Sequence, residues 1–591
     1  MNDQLPTSQL SPIRRLRHVL GSEDRETGRI VSTRLLATLH FLSIAASAFL
    51  LGSSHDVVLA RVLQGVGAAA LLLQWTASFV PSMDRGQFIG RQWAWTVFCA
   101  SLVLAMGAGA ILRGADGLFF ALGVWVSWLG LLRVSMALLR SDFIKHRPAA
   151  SLALTFGFVV WVGTAFLWLS PLTTVDEEGL TFVDALFTAT SAVCVTGLEV
   201  TSTGQTLSGF GQAVVLTLIQ IGGLGIMTFG TFFLLTTGRR LGFQESALVS
   251  ATLNVEQQGG IRRFVFTVLI ITLGAEALGV LALWPAFSQT SEPLFNAVFH
   301  SVSAFCNAGF SLFDDSFASH TSSWGLNAIL MILITVGGLG FIVMDDLFAR
   351  LTGGRGSRQR VLGLHARIVL WSSLILTLVG AVGFYLLEVD GVLADQSEGD
   401  RWVTAGFQSI SSRTAGFSSV DFGGEGQAEG LSSSTRVFLM GFMLIGASPG
   451  STGGGMKTVT VVLLLASIIA LLRGSDSVNL LGRRIPDTLI KKAGAIVVIY
   501  GVTISAAVFA LSITDSSFGV LDLAFEAVSA VGTVGFSVGV SGSQDFSDAG
   551  KVILTALMYL GRLGPLTIVM MATRIGSAPV VQYPEERVMI G

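Results

Sequence analysis

The chain has 591 residues, of which 51% are hydrophobic and only 13% charged, with a formal net charge of -2 and a mean hydropathy of +0.71. Soluble domains carry about 25% charged residues, so a soluble or disordered protein is excluded, and the near-neutral charge excludes a basic nucleic-acid face. At about 20 apolar residues per helical span, the length accommodates about a dozen crossings of a bilayer.

Residues 1–29 are polar and include Arg14, Arg15, Arg17, Arg25 and Arg29. No cleavable signal pattern opens the sequence, and this tail is expected in the cytoplasm. Residues 30–148 hold four apolar stretches, Ile30 to Leu51, Val57 to Val80, Trp93 to Leu112 and Leu118 to Leu139, each long enough to span. The connections carrying Arg85 and Arg91, and Arg140, Lys145 and Arg147, are basic and therefore cytoplasmic.

From residue 149 a different unit begins: a long apolar span, a polar stretch, a short half-apolar segment ending in a glycine-bearing tetrad, and a second span. It occurs four times, over residues 149–240, 241–352, 353–474 and 475–575, and a cytoplasmic tail follows at 576–591. The tetrads end at Gly197, Gly309, Gly416 and Gly535, spaced by 112, 107 and 119 residues. Phe187, Ser191, Ala192 and Cys194 match Phe299, Ser303, Ala304 and Cys306 without gaps, and Asp522, Phe525, Ser529 and Ala530 match Asp184, Phe187, Ser191 and Ala192. Such repetition predicts an all-α polytopic membrane protein in which four like units surround one axis.

The segments before the tetrads are too short to cross a membrane and read as re-entrant helices. Non-helical backbone at membrane depth is tolerated only against protein or a water-filled cavity, so four such loops at matching positions are expected to share one axial cavity. Basic clusters follow the second spans (Arg239, Arg240; Arg350, Arg355; Arg473, Arg483, Arg484; Arg574). The connections holding the loops carry Asp176, Glu177, Glu178, Asp314, Asp315, Asp390, Asp395, Asp400, Asp421 and Asp548. The loops therefore enter from outside, through an acidic vestibule that concentrates cations.

The tetrads read Cys194-Val195-Thr196-Gly197, Cys306-Asn307-Ala308-Gly309, Arg413-Thr414-Ala415-Gly416 and Gly532-Thr533-Val534-Gly535. None contains a carboxylate, which disfavours a divalent cation. Rings of backbone carbonyls replace the water of a dehydrating monovalent cation such as potassium, and glycine's access to φ > 0 lets successive carbonyls point one way. The segments SAVCVTGL (191–198), SAFCNAGFSL (303–312), SSRTAGF (411–417) and SAVGTVGFS (529–537) resemble the Trk/Ktr/HKT superfamily of potassium transporters over about three quarters of the chain. The resemblance implies four M1-P-M2 units around a pore, a potassium-binding filter at the sixteen tetrad residues, and a glycine in all four quadrants that goes with potassium preference. It also implies a homodimeric pore subunit in the bacterial cytoplasmic membrane, both termini cytoplasmic. A separately encoded cytosolic nucleotide-binding regulatory subunit is its implied partner, and no cofactor is expected in this chain. The tail from Tyr583 to Gly591 resembles the Ktr branch more than the Trk branch. The four N-terminal spans depart from the family's core pattern.

In the third unit the second span is interrupted by residues 446–457, where Gly446, Pro449, Gly450, Gly453, Gly454 and Gly455 precede Lys457. Five glycines and a proline within ten residues cannot sustain a helix. The resemblance implies an intramembrane gate loop below the filter. Arg562 lies thirteen residues after Ala549 in the fourth unit's second span, about 20 Å along a helix and too deep for snorkelling. Such an arginine faces a cavity or a partner; the resemblance implies the pore, and an interhelical salt bridge is the other reading.

Two GxSxG matches, Gly446 to Gly450 and Gly535 to Gly539, follow the last histidine, His365, so the hydrolase order of serine, acid and histidine is impossible and no enzyme is expected. Cys99, Cys194 and Cys306 form no CxxC pair. His300, Asp184 and Asp522 read as groups satisfying nearby polar atoms, with Asp184 an acid at a helix start. The remaining rival is a cation-coupled potassium symporter, for which paired inverted repeats and a central carboxylate are the usual signs.

Overall fold

The computed structural model describes residues 148–169, 173–175, 179–225, 261–351, 362–423, 430–475 and 477–564. All of them belong to one unit, Asp142–Gly591. The four N-terminal spans expected over residues 30–148 and both terminal tails lie outside the described residues, apart from residue 148 itself.

The helices follow the repeat. The long first helices are α1 (Pro148–Leu169), α4 (Ile261–Leu283), α8 (Leu364–Glu388) and α12 (Asp487–Thr514). Short buried helices come next in each unit: α2 (Phe182–Cys194), α5 (Pro293–Cys306), α9 (Glu398–Ser411) and α13 (Val520–Gly532). The second helices are α3 (Gly209–Leu224), α6 and α7 (Trp324–Leu339 and Phe341–Leu351), α10 and α11 (Ser433–Leu444 and Thr458–Leu472) and α14 (Asp548–Leu563). A small hairpin departs from the all-α expectation. Its strands β1 (Asn479–Leu480) and β2 (Arg483–Arg484) turn through Leu481 and Gly482, both at positive φ, as a two-residue hairpin turn requires.

Local chemistry sets the helix starts. Thr181 caps α2 by accepting from the Asp184 N–H at 3.1 Å, and Ser397 caps α9 likewise from Asp400 at 3.3 Å. Ser208, Ser432 and Ser547 do the same for α3, α10 and α14, each satisfying an orphan donor. Asp184 thus stands in the first turn of its helix, as expected.

Apolar side chains face outward as well as into the core. Leu273, Leu278 and Leu281 on α4, Trp371, Leu378 and Leu386 on α8, and Val498, Val502 and Phe509 on α12 are exposed, whereas Ser191, Ser303, Ser411 and Ser529 are buried. Among the described residues, α8, α12 and the stretch Val265–Phe287 are long and apolar enough to cross a membrane. Helices α6 and α7 form a pair bent by 100° at Gly340. Each short helix also packs on the second helix of the preceding unit: α5 on α3, α9 on α6, α13 on α10, and α2 on α14. The last contact returns the fourth unit to the first and closes a ring.

Three polar links staple this closure. Lys551 on α14 pairs with Asp184 on α2 at 2.8 Å, Arg436 on α10 with Asp522 on α13 at 2.7 Å, and the Trp324 indole donates to Asp400 at 2.6 Å. Asp184 and Asp522 therefore hold neighbouring units together, as groups with polar partners. His300 is satisfied too: its Nδ1 meets the Asn296 carbonyl at 2.8 Å.

Beyond the glycine-proline run of the third unit, a glycine at positive φ ends a helix of the second segment in the other three units. Helices α3, α6 and α14 end at Gly225, Gly340 and Gly564, all at positive φ, inside the parallel strings GGLG (222–225), GGLG (337–340) and GRLG (561–564). The repeated string carries the signal, which single-unit reading misses. Its first glycine is a close-approach site: a Cβ on Gly222, Gly337 or Gly561 would lie 1.9–2.1 Å from the carbonyl oxygens of Val193, Phe305 and Val531.

Candidate functional site: a glycine ring under an acidic vestibule

Each short helix ends at its tetrad, so four helix C-termini, the negative ends of their dipoles, converge there. Two tetrad positions have left-handed backbone. Position two holds Val195, Asn307, Thr414 and Thr533 at φ 57, 58, 78 and 50°; position four holds Gly197, Gly309, Gly416 and Gly535 at φ 89, 74, 77 and 96°. Left-handed valine and threonine cost about 1–3 kcal/mol each and persist only when surroundings over-determine them. Here the N–H groups of Thr196, Ala308 and Val534 bond back to Ser191, Ser303 and Ser529 at 2.8, 2.8 and 2.9 Å. The left-handed second position was not legible in the sequence, because no glycine marks it in any of the four tetrads.

The glycines meet one another in cyclic order. A Cβ on Gly197 would lie 2.5 Å from the Ala308 oxygen, on Gly309 2.8 Å from that of Ala415, on Gly416 2.4 Å from that of Val534, and on Gly535 2.2 Å from that of Thr196. Each quadrant thus abuts the third carbonyl of the next, and the fourth returns to the first. The hydroxyls of Thr196, Thr414 and Thr533 are buried with no hydrogen-bond partner among the described residues, unusual for interior oxygens. Arg413 sends its guanidinium away from this ring, donating to the Ser373 carbonyl on α8 at 3.1 Å. Its tetrad contributes backbone.

The third quadrant is shorter. Ser411 stands five residues before its glycine, whereas Ser191, Ser303 and Ser529 stand six before theirs. Ser411 still donates to the Phe417 carbonyl at 2.5 Å, as Ser303 does to that of Phe310 at 2.8 Å. Ser191 and Ser529 instead accept from the N–H of Gly197 and Gly535, both at 3.1 Å.

Above the ring lies a cavity of about 580 Å³ whose lining includes all four glycines and Glu199, Asp314, Asp315 and Asp421. Of the acids expected in a vestibule, Asp314, Asp315 and Asp421 are there; Asp390 and Asp395 are exposed and do not line it, and Asp400 and Asp548 stand in the first turns of α9 and α14 instead. Asp176, Glu177 and Glu178 lie outside the described residues. Glu199 was missed, although it occupies the second place after its glycine, where the other units carry Ser311, Ser418 and Ser537. At the bottom of the vestibule, burial pushes its carboxyl up to about 8, against N–H donation from Thr203 and with Asp314 adding to the rise.

Beneath the ring runs the loop 446–457. It is anchored to the second unit by Ser448 N–H to Gly338 O at 3.1 Å, Phe341 N–H to Gly450 O at 2.8 Å, and the Thr452 hydroxyl to Phe305 O at 3.3 Å. A Cβ on Gly453 or Gly454 would lie 2.2 Å from the hydroxyls of Thr414 and Thr533, so the loop lies directly against two tetrads. Lys457 turns back onto the carbonyls of Gly453 and Gly454 at 2.7 and 3.2 Å. Arg562, in the place of the second glycine of GGLG, donates to the carbonyls of Thr452 and of Gly222. All the residues expected at a gate thus meet along this loop, from Pro449 and Gly450 beside α7 to Gly453, Gly454 and Gly455 beneath the tetrads.

A buried acid also escaped notice: Glu276 on α4, 5% exposed, accepts from Gln220 at 3.0 Å and lies 3.9 Å from the Cys306 sulfur. A lone ionisable residue within an apolar span is the signal that finds it.

Residues 149–583 match the family model TrkH, described as a cation transport protein. The chain is 35% identical over 455 residues to the Ktr system potassium uptake protein B of Bacillus subtilis (strain 168), covering 76% of this chain and 98% of that one. It is 37% identical over 420 residues to the protein of that name from Vibrio alginolyticus, covering 70% and 89%. The potassium/sodium uptake protein NtpJ of Enterococcus hirae is 33% identical over 458 residues, covering 75% and 97%. Among solved structures, the potassium transporter TrkH from Vibrio parahaemolyticus superposes with a TM-score of 0.62 at 21% identity, covering 83% of this chain and 99% of that one, a likeness of fold.

Proposed function

The chain belongs to the TrkH family of cation transport proteins, and on that premise we propose that it takes up potassium across a bacterial cytoplasmic membrane. Four M1-P-M2 units surround one pore, and the tetrads form the filter. The observation that carries this reading is the closed ring of Gly197, Gly309, Gly416 and Gly535 at the floor of an acidic cavity. Potassium dehydrates when neutral oxygens replace its water. Backbone carbonyls and the unpartnered threonine hydroxyls are such oxygens, helix C-termini favour a cation there, and the vestibule acids raise its local concentration. The loop 446–457, folded on its own Lys457 and tied to Arg562, is the gate. The Ktr relatives are named as parts of a system, which supports a separately encoded regulatory partner; the pore subunit itself is a homodimer with both termini cytoplasmic.

The test is current against voltage in a reconstituted bilayer, beside potassium-dependent growth of an uptake-deficient bacterium carrying this chain with and without a candidate regulatory subunit. A reversal potential that follows the potassium gradient alone is expected. One that also follows a proton or sodium gradient means coupled symport and overturns the channel-like reading.

A further inference from the structure

The second residue after each filter glycine forms a further ring, Glu199, Ser311, Ser418 and Ser537, and all four line the vestibule. In three quadrants a buried side chain from the quadrant's own short helix reaches this residue. His300, nine residues before Gly309, meets Ser311 Oγ at 3.2 Å and accepts from the Leu312 N–H at 3.3 Å. Gln408, eight before Gly416 in the shorter quadrant, donates to Ser418 and Ser419 at 3.3 and 3.2 Å. Glu526, nine before Gly535, accepts from the Ser537 hydroxyl at 2.5 Å and from the Val538 N–H at 3.2 Å. All three are fully buried, and Glu526 Oε2 and Gln408 Oε1 have no partner among the described residues. Three chemically different residues thus make the same connection. In the remaining quadrant the corresponding helix residue is the small Thr188, and the ring residue is Glu199, bound instead to the Thr203 N–H at 3.3 Å.

We propose that His300, Gln408 and Glu526 are positioning residues that brace the outer ring of the filter and thereby set its discrimination between potassium and sodium. The inference rests on the filter reading above. A carbonyl ring selects by the number and placement of its oxygens, and glycine restrains its own backbone least of all residues, so the placement of the chain beyond each filter glycine depends on what holds it from behind. The braces tie that backbone to rigid helices. In the remaining quadrant Glu199 is held by the chain that follows it, through the Thr203 N–H, and not by its short helix.

The experiment measures the sodium-to-potassium permeability ratio from bi-ionic reversal potentials of the reconstituted full chain, for Glu526→Gln, Glu526→Ala, Ser537→Ala and the double variant Glu526→Ala/Ser537→Ala, with Gly535→Ser as reference. Loss of one such hydrogen bond is expected to raise the ratio by about three- to tenfold in Glu526→Ala and in Ser537→Ala. The double variant should be no worse than Glu526→Ala alone, because that variant already removes the bond that Ser537→Ala cuts. Glu526→Gln should keep a ratio near the parent's, since its amide oxygen accepts the same two bonds. If Glu526→Ala does not fold, Ser537→Ala removes the hydroxyl bond of the brace from the vestibule side, leaving the Val538 N–H bond. A parental ratio in folded Ser537→Ala, or additive effects in the double variant, overturns the brace while Gly535→Ser still degrades selectivity. A parental ratio in Gly535→Ser overturns the filter reading and the brace with it.

Discussion

The guanidinium of Arg562 donates to the main-chain carbonyl of Thr452, 110 residues earlier in the chain, and among the described residues it pairs with no carboxylate. Its second bond goes to Gly222 O, so one cationic group ties the loop 446–457 to two second helices beneath the glycine ring. With no acid left behind, its removal strands no buried charge. A full positive charge there also opposes a cation, by roughly 3 kcal/mol at about 6 Å and an effective dielectric near 20. Arg562→Ala is therefore expected to raise potassium flux per folded protein by about tenfold or more with selectivity nearly intact. Lower flux together with a lowered melting temperature would count against a barrier role.

Removing Gly453 to Gly455 should raise basal flux and abolish regulation, because these residues carry the loop up against the hydroxyls of Thr414 and Thr533. Flux with and without the regulatory subunit checks it. A folded deletion variant with reduced flux and normal regulation contradicts the gate.

The ring glycines should not be equally sensitive. Alanine at Gly535 would bring its Cβ to 2.2 Å from a backbone oxygen, and at Gly309 to 2.8 Å, and both sites add the strain of a left-handed backbone. Loss of potassium over sodium selectivity is expected in the order Gly535, Gly416, Gly197, Gly309, following the approach distances 2.2, 2.4, 2.5 and 2.8 Å. Gly197→Ser should likewise erode selectivity more than expression. Permeability ratios across the four alanine variants test the order.

Uptake should rise with pH through the Glu199 transition. Burial holds this carboxyl at about 8, so it is mostly neutral at pH 7 and adds a negative charge above the filter as pH passes 8. Asp314, Asp315 and Asp421 face the same cavity. Initial uptake rates at low potassium between pH 6.5 and 9 (roughly a unit or more either side of the transition) should climb in the parent and flatten in Glu199→Gln. An unchanged slope in that variant would exclude Glu199 as the titrating group.

The buried Arg436–Asp522 pair, with side chains only 6% and 4% exposed, should matter for assembly of the ring. Arg436→Met strands the carboxylate and is expected to cost about 3–5 kcal/mol, read as a lowered melting temperature in detergent. Combining it with Asp522→Leu should recover most of the loss. A single variant as stable as the parent would mean the α10–α13 contact does not depend on the pair.

What the sequence determined by itself is what a local rule carries. Apolar length identified the long helices α4, α8 and α12, a repeat of about 110 residues aligned the tetrads, and a glycine at each tetrad end announced the positive φ that Gly197, Gly309, Gly416 and Gly535 adopt. The run from Gly446 to Gly455 declared a broken helix because glycine and proline act on their own turn of backbone. Tertiary structure decided the rest. Val195 and Thr533 take left-handed backbone against their own preference where Gly222 and Gly561 of the adjoining second helices close on them. Arg562 reads from sequence as a pore group with a salt bridge as the alternative, and its partners are fixed only when Thr452 and Gly222, 110 and 340 residues away, are brought to it. Glu526 looks like an ordinary helix acid until Ser537 folds back onto it. In each case the deciding partner is distant in sequence or on a returning strand of chain, and a buried polar group's role is set by the partner that satisfies it.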